Sequence, residues 1–183
     1  MRTIKLVQPD AWRQIPPGGT LRSWLTDRGS LTARIVKHFA AFNLQRLSQR
    51  LARPNHDECR ALGLRHGELA MIREVLLKDG GVPLVFAHTA VSRRDLRGAW
   101  RGLSRLGARP LAEMLFRDPT VTRMPIEYKK LRHTDDLMAV LRAHTGSHPG
   151  SCWARRSVFL KAGRPLLVTE IFLSAMFADQ HKK

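Results

Sequence analysis

The sequence predicts a single α+β domain in which an antiparallel β-sheet is flanked by helices. Two hairpins carry this prediction. Residues 69–78 and 84–91 are apolar, branched runs separated by a glycine turn, and residues 153–161 and 165–173 repeat the pattern. Helical patterns separate the two hairpins and precede the first, as in α+β proteins. At 183 residues the chain is long enough to build one core.

Two short helices are predicted before the first hairpin. Residues 1–19 look irregular and end in two prolines and two glycines, and Thr20 is placed to cap the first helix. A Gly-Ser pair ends that helix, and Ser30 is placed to cap the second. Residues 39–52 fit either a helix or a strand, and residues 55–58 are predicted to form a loop.

The segment between the hairpins is predicted to be mostly helical. Residues 93–106 fit a helix with one apolar face and one arginine stripe, formed by Arg94, Arg97, Arg101 and Arg105. Gly107 ends this helix, and Pro110 begins another. Residues 120–128 fit a strand. Residues 134–144 fit a helix, because acidic residues in its first turn suit the helix dipole.

The composition restricts the class of protein. Only two cysteines are present, without C-x-x-C spacing, which fits a reducing cytosol. No apolar run reaches the ~20 residues of a membrane span, and the N-terminus lacks the apolar core of a signal peptide. We therefore expect a soluble, cytoplasmic protein.

The charge points to an anionic partner. The chain has 32 basic and 15 acidic residues, which gives a net charge of +17. Such a charge favours nucleic acid, an anionic membrane surface or a small polyanionic substrate. The sequence shows no zinc-finger spacing, no RNA-binding aromatic motif and no convincing helix-turn-helix. Charge alone therefore leaves nucleic-acid binding open.

Two charged residues interrupt apolar strand faces. In the last predicted strand, alternation places Glu170 on the face of Leu166, Val168 and Phe172. In the first hairpin, Arg73 shares a face with three apolar residues, Met71, Val75 and Leu77. A carboxylate on an apolar face needs a compensating partner, so the pattern suggests a polar site inside a hydrophobic pocket. A structural ion pair, or a glutamate on a solvated sheet face, would give the same pattern.

Two helix starts are further candidates for a site. Leu31 and Leu111 lie near predicted helix N-termini, where free backbone amides can hold an anion; core-facing leucines at ordinary helix starts would look the same. A metal site is not predicted, because Gly146 separates His144 from His148 and no His-Glu-x-x-His motif is present.

Several stretches along residues 20–173 form a recognisable series: Trp24-Leu25 with Gly29-Ser30-Leu31-Thr32, Arg73-Glu74-Val75-Leu76-Leu77, Leu106-Gly107-Ala108-Arg109-Pro110-Leu111 with Leu115-Phe116, Trp153-Ala154-Arg155-Arg156-Ser157, and Gly163 through Leu173. In this order they resemble the chorismate pyruvate-lyase family. The resemblance implies a chorismate lyase-like domain over residues 20–176, after an irregular segment 1–19 and before a basic tail 177–183.

The resemblance assigns roles to five residues. Arg73 matches the family arginine that binds the ligand, and Glu170 matches the glutamate at the ring oxygen. Leu31 and Leu111 match positions whose backbone amides and side chains line the pocket. His88 stands where an arginine is expected near the pocket entrance, where a neutral histidine could still form a hydrogen bond.

The resemblance also implies a reaction. The family converts chorismate to 4-hydroxybenzoate and pyruvate, at the entry to ubiquinone synthesis, without a metal or organic cofactor. Arg73 would neutralise charge on chorismate, and Glu170, if burial keeps its carboxyl protonated, could donate a hydrogen bond or a proton to the oxygen that becomes the phenol. We expect the protein to be a monomer. We expect lids over the site near residues 26–34 and 84–92. Transient contact with a membrane surface or with a downstream membrane enzyme is also expected.

Two other functions remain open at this point. The ligand-binding domains of some transcription regulators resemble this fold, so the chain could be a non-catalytic domain that binds a small aromatic acid. Because such regulators carry a DNA-binding domain of ~70 residues and only ~20 residues precede Thr20, we do not expect this function. The net charge alternatively allows a basic nucleic-acid-binding protein, although no nucleic-acid partner is expected.

Overall fold

Seven strands form one antiparallel sheet in the part of the chain that the structure, a computed structural model, describes: residues 12–65 and 67–181, without the side chains of 179–181. The sheet order is β1-β2-β3-β7-β6-β4, and β5 also pairs with β6. The strands are β1 Phe42–Ala52, β2 Ala70–Asp79, β3 Val82–Ser92, β4 Val121–Arg123, β5 Glu127–Arg132, β6 Ser151–Lys161 and β7 Arg164–Phe172. The predicted α+β fold with an antiparallel sheet is confirmed.

Both predicted hairpins are present, and they occupy the middle of the sheet. Strands β2 and β3 are joined at Gly80, and β6 and β7 are joined at Gly163. Both glycines have positive φ angles, 54° and 71°, which the tight hairpin turns require. The ambiguous segment 39–52 forms strand β1, which pairs with β2.

Helices cover both faces of the sheet. Within the described residues the α-helices are α1 Gly19–Thr26, α2 Leu31–His38, α3 His56–Leu62, α4 Leu111–Phe116 and α5 Asp136–Thr145. Helices α1, α2 and α4 cover one face, named the near face, and pack on residues such as Val75 and Leu166. Helices α3 and α5 cover the far face and pack on residues such as Ile72 and Leu76.

The helix starts differ in part from the prediction. Ser30 caps α2 as predicted, since its Oγ accepts a hydrogen bond from the Ala33 amide at 3.1 Å. The prediction that Thr20 caps α1 was wrong: the helix begins at Gly19, and its N-cap residue Gly18 contributes no side-chain bond. Residues 1–11 lie outside the described residues, so most of the predicted irregular segment stays a prediction.

The predicted loop at 55–58 is the start of helix α3. The Asn55 side chain accepts a bond from the Glu58 amide, and the Glu58 carboxylate accepts one from the Asn55 amide. This reciprocal pair is a capping box, and both residues are visible in the sequence at the required spacing. The prediction was wrong because polar residues were taken as a loop signal when they cap a helix.

The arginine-rich segment 93–106 is not one helix. It forms two 3-10 helices, Arg93–Arg97 and Arg101–Arg105, because Gly98 between them adopts a backbone conformation outside the helical region. The predicted faces are nevertheless correct. Trp100 and Leu103 are buried in the near-face core, while the arginines of the stripe are exposed.

Element boundaries shift elsewhere by small amounts. The predicted strand 120–128 is divided into β4 and β5, and the helix predicted from residue 134 begins at Asp136. At the C-terminus, a 3-10 helix spans Ser174–His181. Phe177 packs against the near-face core, so the packed chain continues beyond the boundary predicted at residue 176. Residues 182–183 of the predicted tail lie outside the described residues.

Candidate active site

A small cavity lies between the near face of the sheet and the first turns of α2 and α4. The volume of this cavity is about 50 Å³. Its apolar wall includes Val75, Leu77, Leu115, Phe159 and Val168, and its charged lining residues are Arg73, Arg123, Arg155 and Glu170. The cavity therefore combines an apolar wall with three guanidinium groups and one carboxylate, as the two interrupted strand faces suggested.

Arg73 is buried in this cavity on strand β2, with 1% of its surface exposed. Its Nη2 donates hydrogen bonds to the carbonyl oxygens of Gly107 and Arg109, at 3.2 and 3.0 Å. Its Nε has no partner within the described residues. Burial lowers the pKa of Arg73 to about 10, with a further contribution from the positive charge of Arg46. The side chain is thus a buried cation at neutral pH, held by two carbonyl groups.

Glu170 lies in the same cavity, but its ion-pair partner is not Arg73. The carboxylate accepts a hydrogen bond from Nε of Arg155 at 2.5 Å. Arg73 on β2 and Glu170 on β7 are separated by strand β3, which places their strands about 10 Å apart. The structural ion pair considered as an alternative therefore exists with another arginine, while Arg73 and Glu170 still face one cavity.

Arg155 is a site residue that the sequence analysis missed. It lies directly opposite Glu170 in the β6–β7 hairpin, and its guanidinium is 1% exposed. Its Nη1 donates to backbone carbonyls at the C-terminal end of α1: Trp24 at 3.0 Å and Leu25 at 3.3 Å in the last turn, and the C-cap residue Asp27 at 2.7 Å. The turn at Gly163 fixes the hairpin register, so this pairing could have been predicted from the sequence.

Arg123 is a second missed residue. It lies on the short strand β4, and its Nε donates to Oγ of Ser157 at 3.0 Å. Its Nη1 donates to the carbonyls of Arg28 and Gly29, at 2.8 and 3.4 Å. A three-residue strand gives too few alternating positions to reveal a buried face, so the sequence carried no signal for this side chain.

Leu31 and Leu111, the two candidate residues at helix starts, both line the cavity. Each is the first residue of a helix, α2 and α4 respectively, and each side chain is buried. The first amides of a helix have no partner inside the helix. Both helix starts therefore bring backbone amides and apolar side chains to the same cavity.

The prediction that His88 lies near the pocket entrance was wrong. Its neighbours on β3, Ala87 and Thr89, line the cavity, so alternation directs His88 to the far face of the sheet. There it is buried between two glutamates. Its Nε2 lies 2.8 Å from a carboxylate oxygen of Glu58, and its Nδ1 lies 3.4 Å from one of Glu74.

This far-face cluster joins five elements through charge. Glu74 on β2 also accepts hydrogen bonds from Ser48 and Arg50 of β1, and His144 of α5 lies 2.8 Å from it. Burial alone would lower the pKa of His88, but the carboxylates of Glu58 and Glu74 outweigh burial and raise it to about 9. The protonated imidazolium therefore links α3 to the sheet at neutral pH.

We expect the free energy of unfolding to fall as the pH rises from about 6.5 to about 9. Because the pKa of His88 is raised above 6.5 in the folded state, its contribution is fully present below about pH 6.5 and is lost by about pH 9. The loss should be on the order of 2–3 kcal/mol. Urea unfolding of the wild type and of His88→Gln between pH 6 and 9.5 measures it.

His88→Gln is a suitable control because His144, Arg50 and both glutamates remain in place. The wild-type curve should approach that of the variant as the pH increases. Parallel curves across the whole range would show that His88 does not carry this proton.

The described residues give three further observations. None of their helices is long and apolar enough to cross a membrane. No three of their His, Cys, Asp or Glu side chains are grouped so that they could hold a metal ion. Cys59 and Cys152 are both free.

The fold and the cavity together define an α+β ligand-binding domain with an enclosed, positively charged site. The model of the chorismate lyase family matches residues 4–183. This chain belongs to the chorismate lyase family.

Two curated relatives support this assignment, and one solved structure shares the fold alone. A relative from Aromatoleum aromaticum, described as a probable chorismate pyruvate-lyase, is 46% identical over 175 residues, which are 90% of this chain and 92% of the relative. A relative from Nitrosomonas europaea with the same description is 41% identical, over 94% of this chain and 98% of the relative. A GntR-family transcriptional regulator from Bacillus cereus has a similar fold, with a TM-score of 0.55 and 13% identity over 75% of this chain and 95% of that one.

Proposed function

We propose that this protein is a chorismate pyruvate-lyase, which converts chorismate to 4-hydroxybenzoate and pyruvate. The observation that carries the proposal is the pair Arg73 and Glu170, which face one apolar cavity in a chain of the chorismate lyase family. The relatives described as probable chorismate pyruvate-lyases support it. The net charge of +17 suits a dianionic substrate.

The cavity suggests how chorismate is held. The ring carboxylate would bind Arg73, whose Nε is unpartnered among the described residues. The ring would pack against the apolar wall, and the ring hydroxyl would reach Glu170. Backbone amides at the starts of α2 and α4 would hold ligand oxygens, as the resemblance implies for Leu31 and Leu111. Such positioning selects the reactive conformer of a substrate that is already close to aromatic.

The reaction itself is an elimination. The bond between the ring and the ether oxygen breaks, and the ring loses the hydrogen on the hydroxyl-bearing carbon, so that the ring becomes aromatic. The departing enolpyruvate gains one proton on its methylene carbon and becomes pyruvate. The positive charge of the cavity stabilises the negative charge that develops on the departing oxygen.

The Arg155 ion pair changes the role expected for Glu170. The guanidinium donates a hydrogen bond to the carboxylate and is its counterion in the cavity. We therefore propose that Glu170 accepts a hydrogen bond from the ring hydroxyl, instead of donating one as the sequence suggested. This contact orients the carbon that loses its hydrogen.

The substrate would enter only when the cover of the cavity opens. An engineered cavity of roughly 150 Å³ binds benzene, whereas the volume of this cavity is about 50 Å³. The cover consists of residues 24–32 and 107–116, whose carbonyls are held by the site arginines. Of the predicted lid 26–34, residues 26–32 belong to this cover. Residues 84–92 form part of strand β3 inside the sheet, so that part of the lid prediction was wrong.

The wider role follows the family that the chain resembles. The product 4-hydroxybenzoate would supply ubiquinone synthesis, and the protein would act as a cytoplasmic monomer. Contact of its basic surface with a membrane or with a downstream membrane enzyme also stays a prediction.

An assay with purified protein tests the proposal. Incubation with chorismate should release pyruvate and 4-hydroxybenzoate in equal amounts, and EDTA should leave the rate unchanged. Pyruvate is followed by coupled reduction to lactate, and the aromatic acid by chromatography. Tight binding of 4-hydroxybenzoate without turnover would overturn the proposal and favour a non-catalytic effector-binding domain. Binding of nucleic acid that weakens steeply with salt, again without turnover, would favour the basic nucleic-acid binder.

A further inference from the structure

Two of the three arginines in the cavity have no carboxylate partner among the described residues. Arg155 is neutralised by Glu170. Arg73 is held only by backbone carbonyls, and Arg123 by a serine and two backbone carbonyls. The site thus contains two uncompensated positive charges, which equals the number of carboxylates on chorismate.

The two uncompensated charges lie at opposite ends of the cavity. Strand β2, which carries Arg73, and strand β4, which carries Arg123, are separated in the sheet by three other strands. Burial and the neighbouring charge of Arg155 lower the pKa of Arg123, and the carboxylate of Glu170 opposes this. Arg123 therefore belongs to the Glu170 end, whereas the charged neighbour of Arg73 is Arg46.

Hydrogen bonds hold the Arg123 guanidinium in a fixed position, and one of its amino groups, Nη2, is not used by them. Its Nε and Nη1 are used by Ser157 and by the carbonyls of Arg28 and Gly29. The rings of Phe116 and Phe159 flank the guanidinium, with centroids 5.8 and 5.3 Å from its central carbon. Its Nη2 makes no hydrogen bond within the described part of the chain. A guanidinium preorganised in this way is suited to bind a carboxylate.

We infer that Arg123 binds the carboxylate of the enolpyruvyl side chain and thereby selects the dianionic substrate over the monoanionic aromatic product. This inference rests on the proposed function. The enolpyruvyl ether is attached next to the carbon that carries the ring hydroxyl. If Glu170 holds that hydroxyl and Arg73 holds the ring carboxylate, the second carboxylate lies at the end of the cavity where Arg123 is placed.

The assignment predicts a difference between substrate and product. Chorismate uses both Arg73 and Arg123, but 4-hydroxybenzoate has one carboxylate and uses only Arg73. Cleavage of the ether bond therefore removes the ligand of Arg123 from the aromatic ring. Substitution of Arg123 should weaken the capture of substrate without weakening the binding of product.

The test compares the two ligands in Arg123→Gln. We expect kcat/KM for chorismate to fall about tenfold or more, while Kd for 4-hydroxybenzoate, measured by calorimetry, changes by less than about twofold. Arg123→Lys retains the charge and should recover part of kcat/KM. Arg34→Gln is the matched control, because Arg34 holds the same covering segment through Asp27 and the Ser23 carbonyl without lining the cavity.

The possible outcomes separate the two proposals. If Arg123→Gln weakens substrate capture and product binding by the same factor, as loosening of the cover in Arg34→Gln should, Arg123 only holds the cover and the inference is overturned. An unchanged kcat/KM also overturns it. A wild-type protein that releases no pyruvate overturns the proposed function itself, and this is measured before any variant is compared.

Discussion

Replacement of Arg73 by methionine should remove most of the activity on chorismate and leave the protein as stable as the wild type or more stable. Removing one partner of a buried, hydrogen-bonded charge pair costs about 2–5 kcal/mol, so kcat/KM should fall about 30- to 5000-fold. The binding of 4-hydroxybenzoate should weaken with it, because substrate and product share the ring carboxylate.

The expected stability follows from the surroundings of Arg73. The guanidinium is buried without a carboxylate partner among the described residues, and its Nε is unsatisfied. Burying a charge without a counterion is unfavourable, and methionine fills a similar volume without this penalty. The loss of two hydrogen bonds to carbonyls opposes the gain. We expect a melting temperature within about 4 °C of the wild type, or above it.

Steady-state kinetics, product titration and thermal unfolding of Arg73→Met measure these effects. Arg97→Met is the matched control, since Arg97 is exposed and does not line the cavity. It removes the same charge from the protein and should leave all three measurements close to those of the wild type. A folded Arg73→Met protein with wild-type kcat/KM would show that the reaction occurs elsewhere.

Replacement of Glu170 by glutamine should lower kcat about 100-fold or more and change product binding much less. The amide cannot replace the charged acceptor for the ring hydroxyl, but its oxygen can still accept a hydrogen bond from Arg155. Arg155 also keeps its three backbone carbonyl acceptors. The variant should therefore fold, with its main defect in the chemical step.

Single-turnover rates measure this defect directly, because they separate chemistry from product release. Glu127→Gln is the matched control: Glu127 accepts a hydrogen bond from Arg156 at 2.7 Å, in a Glu–Arg pair outside the cavity. The control should retain wild-type rates. If both variants lose activity in parallel with stability, Glu170 acts as a structural ion pair and not in the reaction.

Much of the fold could be predicted from local sequence patterns. The two hairpins, the cap at Ser30 and the buried faces of Arg73 and Glu170 follow from turn residues and from alternation over fewer than ten residues. The same patterns contained information that was misread. The capping box at Asn55 and Glu58 was taken as a loop, and Gly98 was not recognised as the break in the arginine-rich segment.

His88 shows where alternation by itself becomes ambiguous. Strand β3 lies in the middle of the sheet and is apolar on both faces, so neither face is marked as exterior. Only the helices that cover each face decide which one encloses a ligand. The histidine lies beneath α3, between two glutamates, instead of in the cavity.

The sequence by itself determined most of the elements, the two charged residues on apolar strand faces and the family resemblance, because these depend on residues close together in the chain. The tertiary structure decided which charges are compensated. Arg155 reaches carbonyls about 130 residues away, and Arg123 reaches the cover of the cavity across 95 residues. Such contacts depend on strand order and helix packing, which no local pattern encodes. They leave Glu170 paired and Arg73 and Arg123 available for a dianion.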